Sequence, residues 1–151
     1  MRLENRTAII FGAGQTPGET VGNGRATALT FAREGAKVMA VDRNLASAEE
    51  TAAMIADKGG EAVAIAADVT QEAHIQAAVA ACMERWGRID ILHNNVGVSI
   101  EGGDAPITEI TVEAFDRVVA INLAFGLITT AIGASGRVCN ACWYQMRRRG
   151  S

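Results

Sequence analysis

The sequence predicts an α/β fold built on a parallel sheet, and three observations predict it. Short apolar runs at residues 7–11, 37–41, 62–67 and 89–93 alternate with segments of helical length. Strands that alternate with helices imply right-handed crossovers and parallel pairing. A glycine-rich stretch with Gly12, Gly14, Gly22 and Gly24 follows the first run directly, and the second run, Val38-Met39-Ala40-Val41, closes on the carboxylate of Asp42. Together these define a Rossmann-type, doubly wound parallel sheet. A chain of 151 residues has room for its first half only, four strands in the order 3-2-1-4 with helices on both faces.

Each element has its own signal. The first strand is Thr7-Ala8-Ile9-Ile10-Phe11, and residues 25–34 have the composition of a helix packed on a sheet. Residues 45–58 follow Asn44, a good N-cap, and place Leu45, Ala48, Ala52, Ile55 and Ala56 on one face before Gly59-Gly60 stops the helix. For the third helix, Thr70 is the expected cap and Glu72 sits in the first turn. Ile75, Ala78, Val79, Cys82, Met83 and Trp86 form its apolar stripe, and Gly87 ends it. That stripe assigns Cys82 and Met83 to the core and leaves His74 on the solvated face. After the fourth strand, residues 98–110 read as loop, with Gly102-Gly103 and Pro106. Thr111 then caps a helix from Val112, in which Ala114, Phe115, Val118, Val119 and Asn122 recur at helical spacing. Asn122 interrupts an otherwise buried stripe, and a polar group there must find partners.

Composition narrows the functional classes. With 49% hydrophobic and 21% charged residues the chain is an ordinary globular domain with one sizeable core. A net charge of −3 supplies no basic field for nucleic acid or an acidic membrane. Arg147, Arg148 and Arg149 fall short of a basic tract and read as a solvated tail. No signal-peptide core and no membrane-length apolar run are present. Three cysteines, Cys82, Cys139 and Cys142, are an odd set without a secretion signal, which points to reduced thiols and a cytoplasmic protein. Cys139 and Cys142 form a CxxC, but a structural zinc site needs four ligands and the only histidines are His74 and His93, so no metal is expected.

The glycines and Asp42 carry the chemistry. A glycine loop between strand and helix lets backbone N–H groups approach a pyrophosphate, and the helix N-terminus adds about half a positive charge. A carboxylate at the end of the next strand can accept both ribose hydroxyls of a dinucleotide. Asp42 also bears on which dinucleotide. A carboxylate about 4 Å from a 2′-phosphate repels it by about 4 kcal/mol per charge pair at an effective dielectric near 20. NAD is therefore favoured over NADP, with Arg43 the residue able to offset part of that repulsion.

These residues, with others, resemble a known family. Gly12, Gly22-Asn23-Gly24-Arg25-Ala26, Phe31-Ala32-Arg33-Glu34-Gly35-Ala36-Lys37-Val38, Asp68-Val69, Asn94-Asn95-Val96-Gly97 and Ile121-Asn122-Leu123 stand in the order found in short-chain dehydrogenases/reductases, over residues 3–123. The resemblance implies an NAD(P)-dependent oxidoreductase acting on a small alcohol or carbonyl compound. It implies that the GxxxGxG motif falls on Gly12, Gly22 and Gly24, the adenine-side pair on Asp68 and Val69, and the NNAG motif on Asn95, Val96 and Gly97. With Gly14, Asn23, Asp42 and Arg43 these make up the expected cofactor site.

Three departures from the family pattern matter. Nine residues, 13–21, separate Gly12 from Gly22 where the pattern has three, so six are inserted, including Pro17-Gly18. The insertion is expected to bulge outward with Glu19 facing solvent, because a carboxylate beside a pyrophosphate is repulsive. Val96 replaces alanine in a tight place. Of the family's Asn, Ser and YxxxK catalytic set only the asparagine has a counterpart, Asn122. Tyr144 followed by Arg148 is YxxxR by coincidence, since arginine is permanently charged and no parallel strand bearing the serine precedes it. Gly126, Gly133 and Gly136 break what should be a long helix, and residues 139–143 show no period. The chain is accordingly divided into a dinucleotide-binding half-domain, 1–123, and a divergent tail, 124–151, with truncation the economical explanation. Cofactor binding without turnover is the expected function. A dinucleotide-binding module and a truncated product without stable function stand as alternatives, and self-association through exposed apolar surface is a further expectation.

Overall fold

The computed structural model describes residues 1–15, 18–98, 105–126 and 139–140. Its elements run β1 (Thr7–Phe11), α1 (Asn23–Arg33), β2 (Lys37–Asp42), α2 (Leu45–Ala56), β3 (Ala62–Ala66), α3 (Glu72–Trp86), β4 (Ile91–Asn94) and α4 (Val112–Val119). A π-helical turn (Ala120–Ala124) and β5 (Cys139–Asn140) follow.

The sheet is parallel, in the order β3-β2-β1-β4-β5. The expected 3-2-1-4 order is therefore present. A two-residue fifth strand joins the far side of β4, pairing Ile91 with Cys139 and Leu92 with Asn140. Sequence periodicity gave no sign of β5, because two residues are too few for alternation to register. β5 precedes Tyr144 but carries no serine; Tyr144 itself lies outside the described residues, as do Cys142 and Arg147 to Arg149.

β1 lies at the centre and all five of its residues are buried, as expected of a parallel strand covered on both faces. It pairs with β2 from Thr7↔Lys37 to Phe11↔Val41, and with β4 from Ala8↔Ile91 to Phe11↔Asn94. Alternation along the strands splits the core into two layers. On one face Ile9, Phe11, Met39, Val41 and Leu92 pack with Ile75, Ala78 and Cys82 of α3. On the other Ile10, Val38 and Ala40 pack with Ala28 of α1 and Ile55 of α2. Helices on both faces make the sheet doubly wound, and the chain leaves β1 toward β2 on one side and β4 on the other. The C-terminal ends of β1 and β4 flank the resulting crevice, where ligands of this fold bind.

Phe125 is 1% exposed and meets Phe11 edge-to-face, with ring centroids 5.3 Å apart. The first core layer thus continues two residues past the sequence boundary at 123. In the same layer the thiol of Cys82 has its pKa pushed up to about 12 by burial, which leaves it chemically inert.

Asn44 and Thr111 cap α2 and α4 as expected, accepting the N–H of Ser47 at 3.3 Å and of Ala114 at 3.2 Å. The third helix departs from expectation. Its N-cap is Gln71, which makes no side-chain capping bond, while the Thr70 hydroxyl donates to the Asp68 carboxylate at 2.7 Å and does not cap the helix. Met83 is 45% exposed, Leu45 is 41% exposed, and Ala56 lies at the surface. Thr51 is buried in α2 instead. These apolar residues sit at the margins of their stripes, where spacing alone does not determine coverage. His74 is exposed, as its place on the helix requires. In α4, Phe115 is 58% exposed while Ala114, Val118 and Val119 are half-buried, so the expected buried stripe is only partly covered among the described residues.

Candidate functional site

The C-terminal ends of β1, β2 and β4 converge on the glycine loop. Gly12 follows β1 at φ +78°, a conformation that a side chain disfavours. Its N–H and that of Ala13 both donate to the Val41 carbonyl, at 2.8 and 3.0 Å, which turns the chain over the end of β2. A Cβ on Gly12 would lie 3.1 Å from Val96 Cγ2, so the larger residue of the NNVG segment is accommodated against a position without a side chain. Asn95 binds twice to this end of β1: its N–H donates to the Phe11 carbonyl at 3.1 Å, and its Nδ2 to the Gly12 carbonyl at 3.3 Å.

Gly24 lets α1 start against this junction. A Cβ there would overlap the Gly12 carbonyl oxygen and lie 2.8 Å from Asn95 Nδ2. Gly22 precedes α1 in an extended conformation and Asn23 is exposed at the first helical position. The family motif Gly12-Gly22-Gly24 is thus brought together despite the insertion. Glu19 is exposed, as required if it is not to oppose an anion.

Asp42 ends β2 half-buried. Its Oδ2 accepts the Gly14 N–H at 2.9 Å and its Oδ1 the Asn44 N–H at 3.0 Å. A Cβ on Gly14 would stand 2.7 Å from Asp42 Oδ2 and 2.8 Å from Ser47 Oγ, so the glycine permits this close approach. A carboxylate has about four acceptor positions, and two remain for hydroxyl groups after these bonds. Arg43 is exposed beside it. Across the same edge, the Thr70 hydroxyl and N–H hold the Asp68 carboxyl below the usual range, with smaller contributions from His74 and Arg43. Val69 is 9% exposed and belongs to the core.

Asn122 takes an arrangement the periodicity did not predict. It lies in the π-helical turn, exposed, and grips the backbone of Val98. Its Oδ1 accepts the Val98 N–H and its Nδ2 donates to the Val98 carbonyl, both at 2.8 Å. π-helical turns recur at functional sites. A Cβ on Gly97 would sit 3.4 Å from Asn122 Oδ1, so the NNVG segment and the fourth helix meet here.

Four supporting residues were not singled out as site residues by the sequence. Arg25 is 6% exposed; its Nε donates to Thr51 Oγ1 at 2.9 Å and its terminal nitrogen to Glu50 Oε2 at 2.6 Å. Thr51 passes this on, donating to the Ala13 carbonyl at 2.8 Å. Ser47 Oγ accepts the Gln15 N–H at 2.6 Å, and Gln15 spans the insertion. Ser47 and Thr51 stand one helical turn apart on the face toward the glycine loop, which is the only sequence signal they carry. The described residues contain no group of three or more possible metal ligands and no helix long and apolar enough to cross a membrane.

The chain matches the family model described as short chain dehydrogenase over residues 6–135, and it belongs to that family. It is 44% identical over 142 residues to sorbitol dehydrogenase from Cereibacter sphaeroides, covering 91% of this chain and 51% of that protein. Over 123 residues it is 44% identical to galactitol 2-dehydrogenase from Agrobacterium fabrum, covering 82% of this chain and 43% of that protein. The crystal structure of hydroxysteroid dehydrogenase from Escherichia coli superimposes with a TM-score of 0.80 at 30% identity, over 92% of this chain and 58% of that one. The chain therefore spans about half the length of the curated relatives it matches. The family match also runs beyond residue 123, into the segment that the sequence alone assigned to a divergent tail. Membership makes the chain part of an NAD(P)-dependent oxidoreductase family, and the glycine cradles with the two remaining acceptor positions of Asp42 suit a dinucleotide.

Proposed function

We propose that this chain binds NAD(H) and provides the nucleotide-binding half of an oxidoreductase acting on alcohols or carbonyl compounds. The observation that carries the reading is Asp42, fixed by the N–H groups of Gly14 and Asn44 with acceptor capacity left over. Gly12, Gly14, Gly22, Asn23 and Gly24 bring backbone toward the pyrophosphate. Asp42 takes the ribose hydroxyls and opposes a 2′-phosphate, while Arg43 stands exposed at the rim. Asp68 and Val69 border the adenine. Asn95, Val96 and Gly97 brace the loop from β4. The bound nicotinamide supplies hydride exchange with the substrate carbon.

Of the family's proton-handling residues this chain has only Asn122, which we assign to orienting the catalytic end through Val98. Its one tyrosine, Tyr144, is followed by Arg148 rather than lysine. Cofactor binding without turnover is the behaviour we assign to these 151 residues. The names of the relatives favour a polyol or secondary alcohol as the substrate of the whole protein. A cytoplasmic setting fits a buried, free thiol at Cys82. Calorimetric titration of the purified chain with NADH and NADPH tests the reading: NADH should bind more tightly, and tighter NADPH binding overturns the ribose assignment.

A further inference from the structure

We propose that Gln15 is a positioning residue for the dinucleotide: its side chain fastens the base of the inserted loop, so that Gly22 and the start of α1 stand beside Gly14 as in an uninterrupted glycine loop. The inference rests on the nucleotide-binding reading above.

Three contacts of Gln15 carry it. The backbone N–H donates to Ser47 Oγ at 2.6 Å, which anchors the residue to α2. The side-chain Oε1 accepts the Gly22 N–H at 2.8 Å. The Nε2 donates to the Thr20 carbonyl at 2.8 Å. One carboxamide thus spans from the first end of the excursion to the second and satisfies a backbone donor and a backbone acceptor there. As a result a Cβ on Gly22 would lie 3.5 Å from Gln15 Oε1 and 3.9 Å from the Gly14 carbonyl oxygen. The hydrogen bond thus holds the two ends of the insertion together, with room between Gly22 and the Gly14 carbonyl for about a methyl group.

The need for such a fastening follows from chain statistics. Closing a loop costs entropy that grows with its length, and residues 18–21 of the excursion are all exposed. Gly22 also gives α1 no side-chain cap. The direction in which the first N–H groups of α1 point therefore depends on how the chain enters through Gly22, and Gln15 sets that entry. Arg25 and Thr51 hold the opposite flank of the loop through Ala13, so Gln15 and the Arg25 network grip the glycine loop from its two ends.

The test uses NADH titrations of the 151-residue chain, of Gln15→Ala, and of both in a background with residues 16–21 deleted, which restores three residues between Gly12 and Gly22. Gln15→Ala keeps the backbone bond to Ser47 and should keep the melting temperature. It should weaken NADH binding by about five- to tenfold in the long loop and by no more than about twofold in the short one. Adenosine, which contacts the Asp42 side and lacks the pyrophosphate, should bind Gln15→Ala and the parent equally. Unchanged or tighter NADH binding by Gln15→Ala overturns the inference, as does an equal loss in both loop backgrounds. If the deletion variant does not fold, the adenosine comparison decides, and an equal loss for NADH and adenosine overturns it. A parent chain that binds no NADH instead refutes the nucleotide-binding reading itself.

Discussion

The carboxylate of Asp42 accepts the N–H of Gly14 at 2.9 Å, so the last residue of β2 is tied to the loop that follows β1. Its other oxygen accepts the Asn44 N–H at the entrance to α2. One side chain thus fixes the relative placement of the glycine loop, the end of β2 and the start of α2. The same side chain is the proposed acceptor for ribose.

Asp42→Ala should therefore do two things at once. Loss of a charged acceptor is expected to weaken NADH binding on the order of tenfold, while removal of its repulsion toward a 2′-phosphate narrows the gap to NADPH. Paired titrations of the two cofactors measure both. An unchanged ratio would remove Asp42 from the specificity determinants.

Gly24→Val should abolish dinucleotide binding through packing as much as through the loop. Its Cβ would overlap the Gly12 carbonyl oxygen, backbone that cannot rotate away, so a loss of about 3 kcal/mol or more in stability is expected. Glu19→Ala, an exposed site, should leave binding equal or improved. Urea denaturation alongside titration separates the two effects, and loss of binding in Glu19→Ala would make the inserted loop part of the site.

Asn122→Ala removes both bonds to Val98. Amide exchange at Val98 should accelerate, and stability should fall by about 1 kcal/mol, because the pair is exposed and water can replace part of it. Asn122→Asp keeps the acceptor for the Val98 N–H and should restore protection there in part. Equal exchange rates in all three proteins would dismiss the clamp.

His93 gives the fold a pH dependence. Among the described residues neither of its ring nitrogens has a hydrogen-bond partner, and burial lowers its pKa below the ordinary value of 6.5. Below that value the unfolded chain takes up a proton that the folded chain refuses. Stability contributed by neutral His93 is then present above pH 6.5 and declines as pH falls below it. The carboxyls of Asp68, held low first by the Thr70 hydroxyl, and Glu61, held low first by the Trp86 N–H, contribute above their unfolded values and lose that contribution only at more acidic pH. Urea midpoints between about pH 5 and 7.5 should slope upward with pH, and the slope should flatten in His93→Leu.

The purified chain should show no hydride transfer above background. Absence of a general acid typically forfeits about 10²- to 10⁴-fold. Exposed Val112 and Phe115, at 71% and 58%, with Leu123 at 55%, should promote self-association of the chain. Turnover assays with NAD and a panel of secondary alcohols, beside size-exclusion chromatography, check both. Robust turnover by a monomer would assign catalysis to residues such as Tyr144.

The sequence by itself determined the alternation of strands and helices, the 3-2-1-4 order, the caps Asn44 and Thr111, and the family motifs. The alternation and the caps are written in local spacing, since periodicity reports which residues share a face and a capping side chain reaches only its own first turn; the strand order was read from the strand, glycine loop, helix, strand and acid motif as a whole. It also marked Asn122 as a polar residue in need of partners. What spacing could not convey was which partners these would be, and Val98 lies 24 residues away.

Tertiary structure decided the rest. It left Met83 and Phe115 facing solvent, since a stripe names a face and not what covers it. β5 gained its place beside β4 through two residues whose pairing depends on the strand already there. The bonds from Arg25 to Thr51 and Gln15 to Ser47 join residues 26 and 32 positions apart. Such contacts have no signature in neighbouring residues, because hydrogen bonds across packed elements form only once the sheet has brought the elements together.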